Sequence, residues 1–164
     1  MAKPVVDYSA ILETLCRHSV DFIVVGGVCA FLHGAPPITI NLEVVHSRES
    51  QNLARLMAAL EELEAHYRIP GRRDKKPGPS HLASAGHQLL MTRFGPLDLL
   101  GIIGEGHDYG QLLDDTVELE IGGGLKPRVL SLEGLVRTKE ETGQEKDRAV
   151  LPMLRRVLEE RSKP

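Results

Sequence analysis

The chain is poor in cysteine. Two occur in 164 residues, Cys16 and Cys29; their separation fits no metal-ligand spacing, and a chain of this size needs no disulfide, so both read as reduced apolar fillers. Long hydrophobic runs are lacking too, since none approaches the ~20 residues that a membrane-spanning helix requires. The first ten residues, MAKPVVDYSA, hold no apolar segment of the kind a secretion signal carries. A cytoplasmic protein with no membrane partner is expected. Nor is positive charge in excess: 20 Lys and Arg stand against 23 Asp and Glu, a formal net charge of -3 with pI near 6.2, which argues against a broad electrostatic footprint for duplex DNA. Internal repeats and interdomain linkers are absent, so residues 1–164 read as a single domain. A domain of that size buries roughly two-thirds of the surface its unfolded chain exposes.

Positive charge is concentrated locally. Arg68, Arg72, Arg73, Lys75 and Lys76 cluster in RIPGRRDKKPGPSH, where Pro70, Gly71, Pro77, Gly78 and Pro79 oppose regular structure. Two readings stand open: a solvated surface loop, or a flap that meets a polyanionic substrate.

Around this loop the periodicities are clear. Ile11, Leu12, Leu15 and Cys16 give a first amphipathic helix over Tyr8 to His18, with Ser9 as its N-cap. Phe22 to Val25 is an apolar, β-branched run too short for a helix, which predicts a strand buried on both faces. Gly26 and Gly27 end it. A short helix from Val28 to His33 closes at Gly34, Pro36 and Pro37 block its continuation, and Ile38 to Val45 alternates as a second strand. Ser47, in a capping-box-like SRES, opens a helix striped with Leu53, Leu56, Met57, Leu60 and Leu63. Ala65 to Ile69 suggests a short strand. Hairpins are predicted for His87 to Phe94 with Leu97 to Ile103, turning at Gly95-Pro96, and for Thr116 to Ile121 with Leu125 to Leu130, turning at Gly122 to Gly124. One helical turn is expected near Tyr109 to Leu113. Ser131 opens a helical tail, about 131–160, broken at Gly143 and carrying Pro152 inside its last helix.

Three features bear on chemistry. Gly26-Gly27, between a buried strand and a helix, leaves backbone N–H groups where phosphate oxygens could sit, although a double glycine also serves the turn itself. Asn41 and Glu43, two residues apart on one strand, share a face and could reach one Mg²⁺, or simply form a wetted face. Asp98 is the only charged residue between Phe94 and Gly104. So isolated a carboxylate needs a partner, a metal or water, and a structural role accepting backbone N–H bonds is equally open.

The order of these parts resembles the nucleotidyltransferase superfamily, in its small bacterial branch of minimal nucleotidyltransferases and AbiEii-like toxins. The matching stretches are VVGGVCAFLHG (Val24 to Gly34), TINLEVV (Thr39 to Val45), PLDLLG (Pro96 to Gly101) and LSLEGLVRTKEETGQEKD (Leu130 to Asp147). The resemblance implies an α+β (α/β) fold, a mixed sheet with helices packed on it and a helical C-terminal segment. It implies transfer of a nucleoside monophosphate from an NTP to a hydroxyl, with Mg²⁺ as cofactor, a nucleotide as partner and, in some relatives, a small helical partner protein. Asn41, Glu43 and Asp98 fall at the metal positions, Glu43 and Asp98 at the catalytic ones, and Gly26, Gly27, Thr39 and Lys139 at nucleotide-binding ones. Lys139, Lys146 and Asp147 match a tail motif of a Lys followed by a Lys-Asp pair.

Two departures accompany the match. Pro37 stands where the family has an Arg, and Asn41-x-Glu43 replaces Asp-x-Asp. Losing one charge near a cation forfeits a few kcal/mol of gross attraction, so metal binding is expected to be weak or absent. A degenerate protein that binds nucleotide or acts as a regulatory or partner-binding module is the alternative expectation.

Overall fold

A computed structural model describes residues 6–37 and 41–163. Among them, seven strands form one mixed sheet. β1 (Phe22–Val25) is the apolar run FIVV, buried at every position, and it lies between β2 (Leu42–His46), antiparallel to it, and β7 (Arg128–Leu130), parallel to it. β5 (Gly95–Leu100) runs parallel to β2 and pairs in a hairpin with β4 (His87–Thr92), whose other edge takes the short β3 (His66–Tyr67). β6 (Thr116–Glu118) closes the far edge against β7. The spatial order is β3-β4-β5-β2-β1-β7-β6.

The helices are α1 (Tyr8–Arg17), α2 (Gly26–Leu32), α3 (Ser50–Glu62), α4 (Pro79–Ala83), α5 (Tyr109–Leu112), α6 (Leu132–Thr142) and α7 (Glu145–Ser162). Their predicted stripes are the core: Ile11, Leu12 and Leu15 on α1, Leu53, Leu56 and Leu60 on α3, Leu132, Leu135 and Val136 on α6 are all buried. Of the predicted α7 stripe only Leu151 and Leu154 are buried, while Val150, Val157 and Leu158 pack half-buried against the cluster. No helix among the described residues is long and apolar enough to cross a membrane. Both cysteines are free. Burial pushes the Cys29 thiol up to about 12 against the opposing pull of Lys139, and its Sγ lies 3.2 Å from the Leu130 carbonyl, so it is an inert filler at neutral pH.

Several boundaries differ from the sequence reading, each for a local reason. Asp7, not Ser9, caps α1, its carboxylate accepting the Ala10 N–H at 3.0 Å. α2 begins at Gly26 rather than Val28, so the Gly-Gly pair is its first turn. Ser47 does not open α3. Its N–H donates to the Asp21 carbonyl at 3.1 Å and prolongs the β1–β2 pairing, which delays the helix to Ser50 with Glu49 at the N-cap. The β4–β5 turn is Arg93-Phe94, with Gly95 paired to Thr92 and Pro96 to Met91 inside the ladder. The Thr92 hydroxyl closes it, donating to the Gly95 carbonyl at 2.8 Å and accepting the Phe94 N–H at 3.0 Å. The expected start of the second strand, Ile38 to Ile40 with Thr39, lies outside the described residues.

Ser131 does cap α6: its hydroxyl accepts the Gly134 N–H at 3.0 Å and donates to Asp115 Oδ1 at 2.7 Å. At its other end Gly143 adopts the left-handed conformation, φ 58°, as a helix C-cap requires. We expect Ser131→Ala to cost about 1 kcal/mol, seen as a fall in Tm of roughly 2–4 °C in a chain of this size. A thermal melt checks it.

Candidate functional site

Strand register assembles the site. In the parallel β2–β5 pair Glu43 lies opposite Asp98, and in the antiparallel β4–β5 pair Asp98 lies opposite Leu89. Arg68, the residue after β3, donates its N–H to the Leu89 carbonyl at 3.1 Å. Residues directly opposed on neighbouring strands project to the same side of the sheet. Glu43, Asp98, Leu89 and Arg68 therefore form one row on one face. Asn41, two residues before Glu43, shares that face, and its amide nitrogen lies 3.5 Å from Asp98 Oδ2.

Gly26 meets this row where β1 turns into α2. It sits at φ 70°, and a Cβ built there would fall 1.8 Å from Glu43 Oε2. The Glu43 carboxylate thus lies where any other residue would put its side chain. Because α2 starts at Gly26, the amides of its first turn have no intrahelical acceptors.

A cleft of about 570 Å³ opens beside them, lined by Gly26, Gly27, Asn41, Glu43 and His87 on the sheet side and by Lys139, Gln144, Lys146 and Asp147 from the α6–α7 corner. Lys139 is held by Asp147, Nζ to Oδ1 at 3.2 Å, and the Thr142 hydroxyl donates to the other Asp147 oxygen at 2.7 Å. Burial alone would raise the Asp147 carboxyl, but the Thr142 hydrogen bond, Lys139 and Lys146 outweigh it and keep it below the ordinary range. Glu43 goes the other way. Burial pushes its carboxyl up, with Asp98 adding to the rise, and Lys139, Lys146 and His87 only partly offset it.

Asp98 is 4% exposed and is not part of the cleft lining. Arg68 Nη1 stands 2.7 Å from its Oδ1, yet the bonded N–H of that nitrogen is directed to the Leu90 carbonyl at 2.6 Å. Among the described residues no donor bonds Oδ1. The contact is a charge pair without hydrogen-bond geometry. This arrangement does not fit the divalent cation that the resemblance implies: one of the two carboxylates already faces a guanidinium, and the third position is the amide Asn41. Among the described residues, no three His, Cys, Asp or Glu side chains stand together as a ligand set.

Of the residues singled out from sequence, Gly26, Gly27, Asn41, Glu43 and Lys139 converge on the cleft, and Asp98 stands behind Glu43. Lys146 and Asp147 join them. Thr39 lies outside the described residues. Arg68 and His87 were missed. Arg68 was read only as the first member of the basic loop, and the pairing of β3 with β4 that aims it at Asp98 cannot be read from local periodicity.

No protein-family model matches the chain, and no curated protein matches it. Solved structures do. The chain is similar to a candidate nucleotidyltransferase of Thermotoga maritima, with TM-score 0.56 and 16% identity over 93% of this chain and 91% of that one. It is similar to ANT(2")-Ia in complex with adenylyl-2"-tobramycin, with TM-score 0.60 and 11% identity over 92% and 87%. It is similar to the lincosamide antibiotic adenylyltransferase LnuA in its lincomycin-bound form, with TM-score 0.62 and 16% identity over 94% and 99%. The mixed sheet with its helices and helical C-terminal segment is the fold of these nucleotidyltransferase structures.

Proposed function

We propose that the cleft binds a nucleoside triphosphate and transfers its nucleoside monophosphate to a hydroxyl on a protein, an RNA end or a small molecule. One observation carries this reading. The Glu43 carboxylate lies against the side-chain-free Gly26 and borders the same cleft as two ammonium groups, Lys139 and Lys146. That is the charge pattern of a phosphoryl-transfer site, where cations meet the phosphate chain and a carboxylate meets the acceptor. Gly26 and Gly27 let phosphate oxygens approach the backbone closely.

In the reaction the acceptor oxygen bonds to the α-phosphorus, the bridging bond to the β-phosphate breaks, and pyrophosphate leaves. Glu43 takes the acceptor's proton. Its raised pKa suits a general base, because a carboxylate of ordinary pKa holds a proton too weakly to help remove one at neutral pH. Lys139 and Lys146 offset charge on the phosphates, and the Asp147–Thr142 contacts fix the Lys139 ammonium. Two of the similar structures carry an adenylyl product or the name adenylyltransferase, in keeping with this chemistry.

A second reading has its own observation. Asn41 in place of a carboxylate and the Arg68–Asp98 pair favour a protein that binds nucleotide without turning it over, as a regulatory or partner-binding module. Acceptor-dependent transfer of label from each of α-labelled ATP, GTP, CTP and UTP separates the two. Label transferred to an acceptor supports the enzyme. Saturable nucleotide binding with no transfer to any acceptor supports the module.

A further inference from the structure

Asp98 already has a cation. The Arg68 side chain is 24% exposed and that of Asp98 6%, so the pair is screened far less than a surface ion pair. Arg68 is anchored twice on β4, through its N–H on the Leu89 carbonyl at 3.1 Å and through Nη1 on the Leu90 carbonyl at 2.6 Å. The register fixes the approach. Arg68 and Asp98 flank Leu89 in one row, two strand spacings of roughly 4.8 Å apart, a span that an extended arginine covers.

We infer that Arg68 is the resident cation of this site. It stands at Asp98 Oδ1, an oxygen that a divalent ion would need, and of the Glu43–Asp98 pair it leaves only Glu43 facing the cleft. A divalent ion is then taken up only as the Arg68 side chain withdraws from Asp98. The buried oxygen that lacks a hydrogen-bond donor, Asp98 Oδ1, is the lone-pair site that its withdrawal would free. Arg68 is a positioning residue in this account: it touches Asp98 and strand carbonyls, and it does not line the cleft. Its meaning for catalysis rests on the nucleotide reading above, whereas its effect on metal binding does not.

Mn²⁺ alone is the probe, titrated into the full chain with free Mn²⁺ read by electron paramagnetic resonance. Arg68→Ala is expected to bind one Mn²⁺ about tenfold or more tighter than the wild type, since an opposing charge near the ligand oxygen is removed. Arg68→Lys, which keeps a cation there, and Arg68→Ala/Asp98→Asn, which removes the carboxylate, are expected to bind as weakly as the wild type. Equal affinity in Arg68→Ala and the wild type overturns the inference, and so does a gain that survives in the double variant. Because Arg68→Ala leaves a buried carboxylate unpaired, the variant could fail to fold. The wild type then decides by NMR under titration with Mg²⁺: uptake of the ion that moves the Arg68 Nε–H resonance in step agrees, and uptake that leaves that resonance unmoved disagrees. Loss of nucleotidyl transfer in every form, with these metal results as expected, would remove the enzymatic reading and leave the resident cation in place.

Discussion

Glu43→Gln is expected to lower nucleotidyl transfer by about 100-fold or more, the usual contribution of a positioned general base, while making the protein more stable at neutral pH. Both effects have one origin. Burial on the sheet, with Asp98 opposite, raises the Glu43 carboxyl above its ordinary value despite Lys139, Lys146 and His87. The folded protein therefore holds this proton more tightly than the unfolded chain does. Stability from that proton is fully present below the unfolded pKa and is lost as pH rises through the folded one. Gln cannot ionise, so the variant escapes the loss. Its Tm should exceed that of the wild type at neutral pH, and the two should converge as the medium is acidified. The low-pH limb of transfer, which reports protonation of this base, should disappear from whatever residual activity survives. A wild-type pH profile in which activity does not fall on the acid side would remove Glu43 as the base.

Gly26→Ala is expected to reproduce most of that catalytic loss without replacing a charged group. The position is left-handed, φ 70°, and the added methyl would meet Glu43 Oε2 at 1.8 Å. The backbone strain costs roughly 1–2 kcal/mol. The clash is relieved by the flexible end of Glu43, so the carboxylate swings away from its place on the row. Transfer should fall, and Tm should fall by a few degrees, opposite in sign to the Glu43→Gln shift. If displacement of Glu43 is the cause, adding Gly26→Ala to Glu43→Gln should lower transfer little further, because residues acting as one unit are not additive. Fully additive losses would mean that Gly26 acts independently, through the bound nucleotide.

Local pattern made much of this fold legible. β1 was readable as four apolar, β-branched or aromatic residues, and the stripes of α1, α3 and α6 as helical spacings, because each is set by burial of neighbours in sequence. Ser131 and Gly143 were readable as the start and the break of the helical tail for the same reason. The misplaced boundaries were those set at longer range. Ser47 looks like a helix start, but its N–H is claimed by Asp21, twenty-six positions earlier in the sequence, across the sheet. Gly95-Pro96 looks like a turn, yet Thr92 closes the turn two residues earlier and leaves Pro96 in the β5 ladder.

The site divides along the same line. Gly26 and Asp98 stood out because a double glycine after a strand and a lone carboxylate in an apolar strand are local anomalies, and Glu43 because it shares a strand face with Asn41. That Glu43 and Asp98 are neighbours follows only from the parallel register of β2 and β5. That Arg68 belongs to Asp98 follows from two more pairings, β5 with β4 and β4 with β3. A basic residue at the mouth of a Pro- and Gly-rich loop gave no sign of it. Residues 69–76 of that loop are exposed, in line with its solvated-loop reading.

The central claim is that the cleft between the Gly26-Gly27 turn and the α6–α7 corner holds a triphosphate. A crystal soaked with a non-hydrolysable NTP tests it most directly. The account predicts phosphate density over Gly26 and Gly27, within reach of the Lys139 and Lys146 ammonium groups, with the α-phosphate facing Glu43. Nucleotide bound elsewhere, or an empty cleft at saturating ligand, would contradict it.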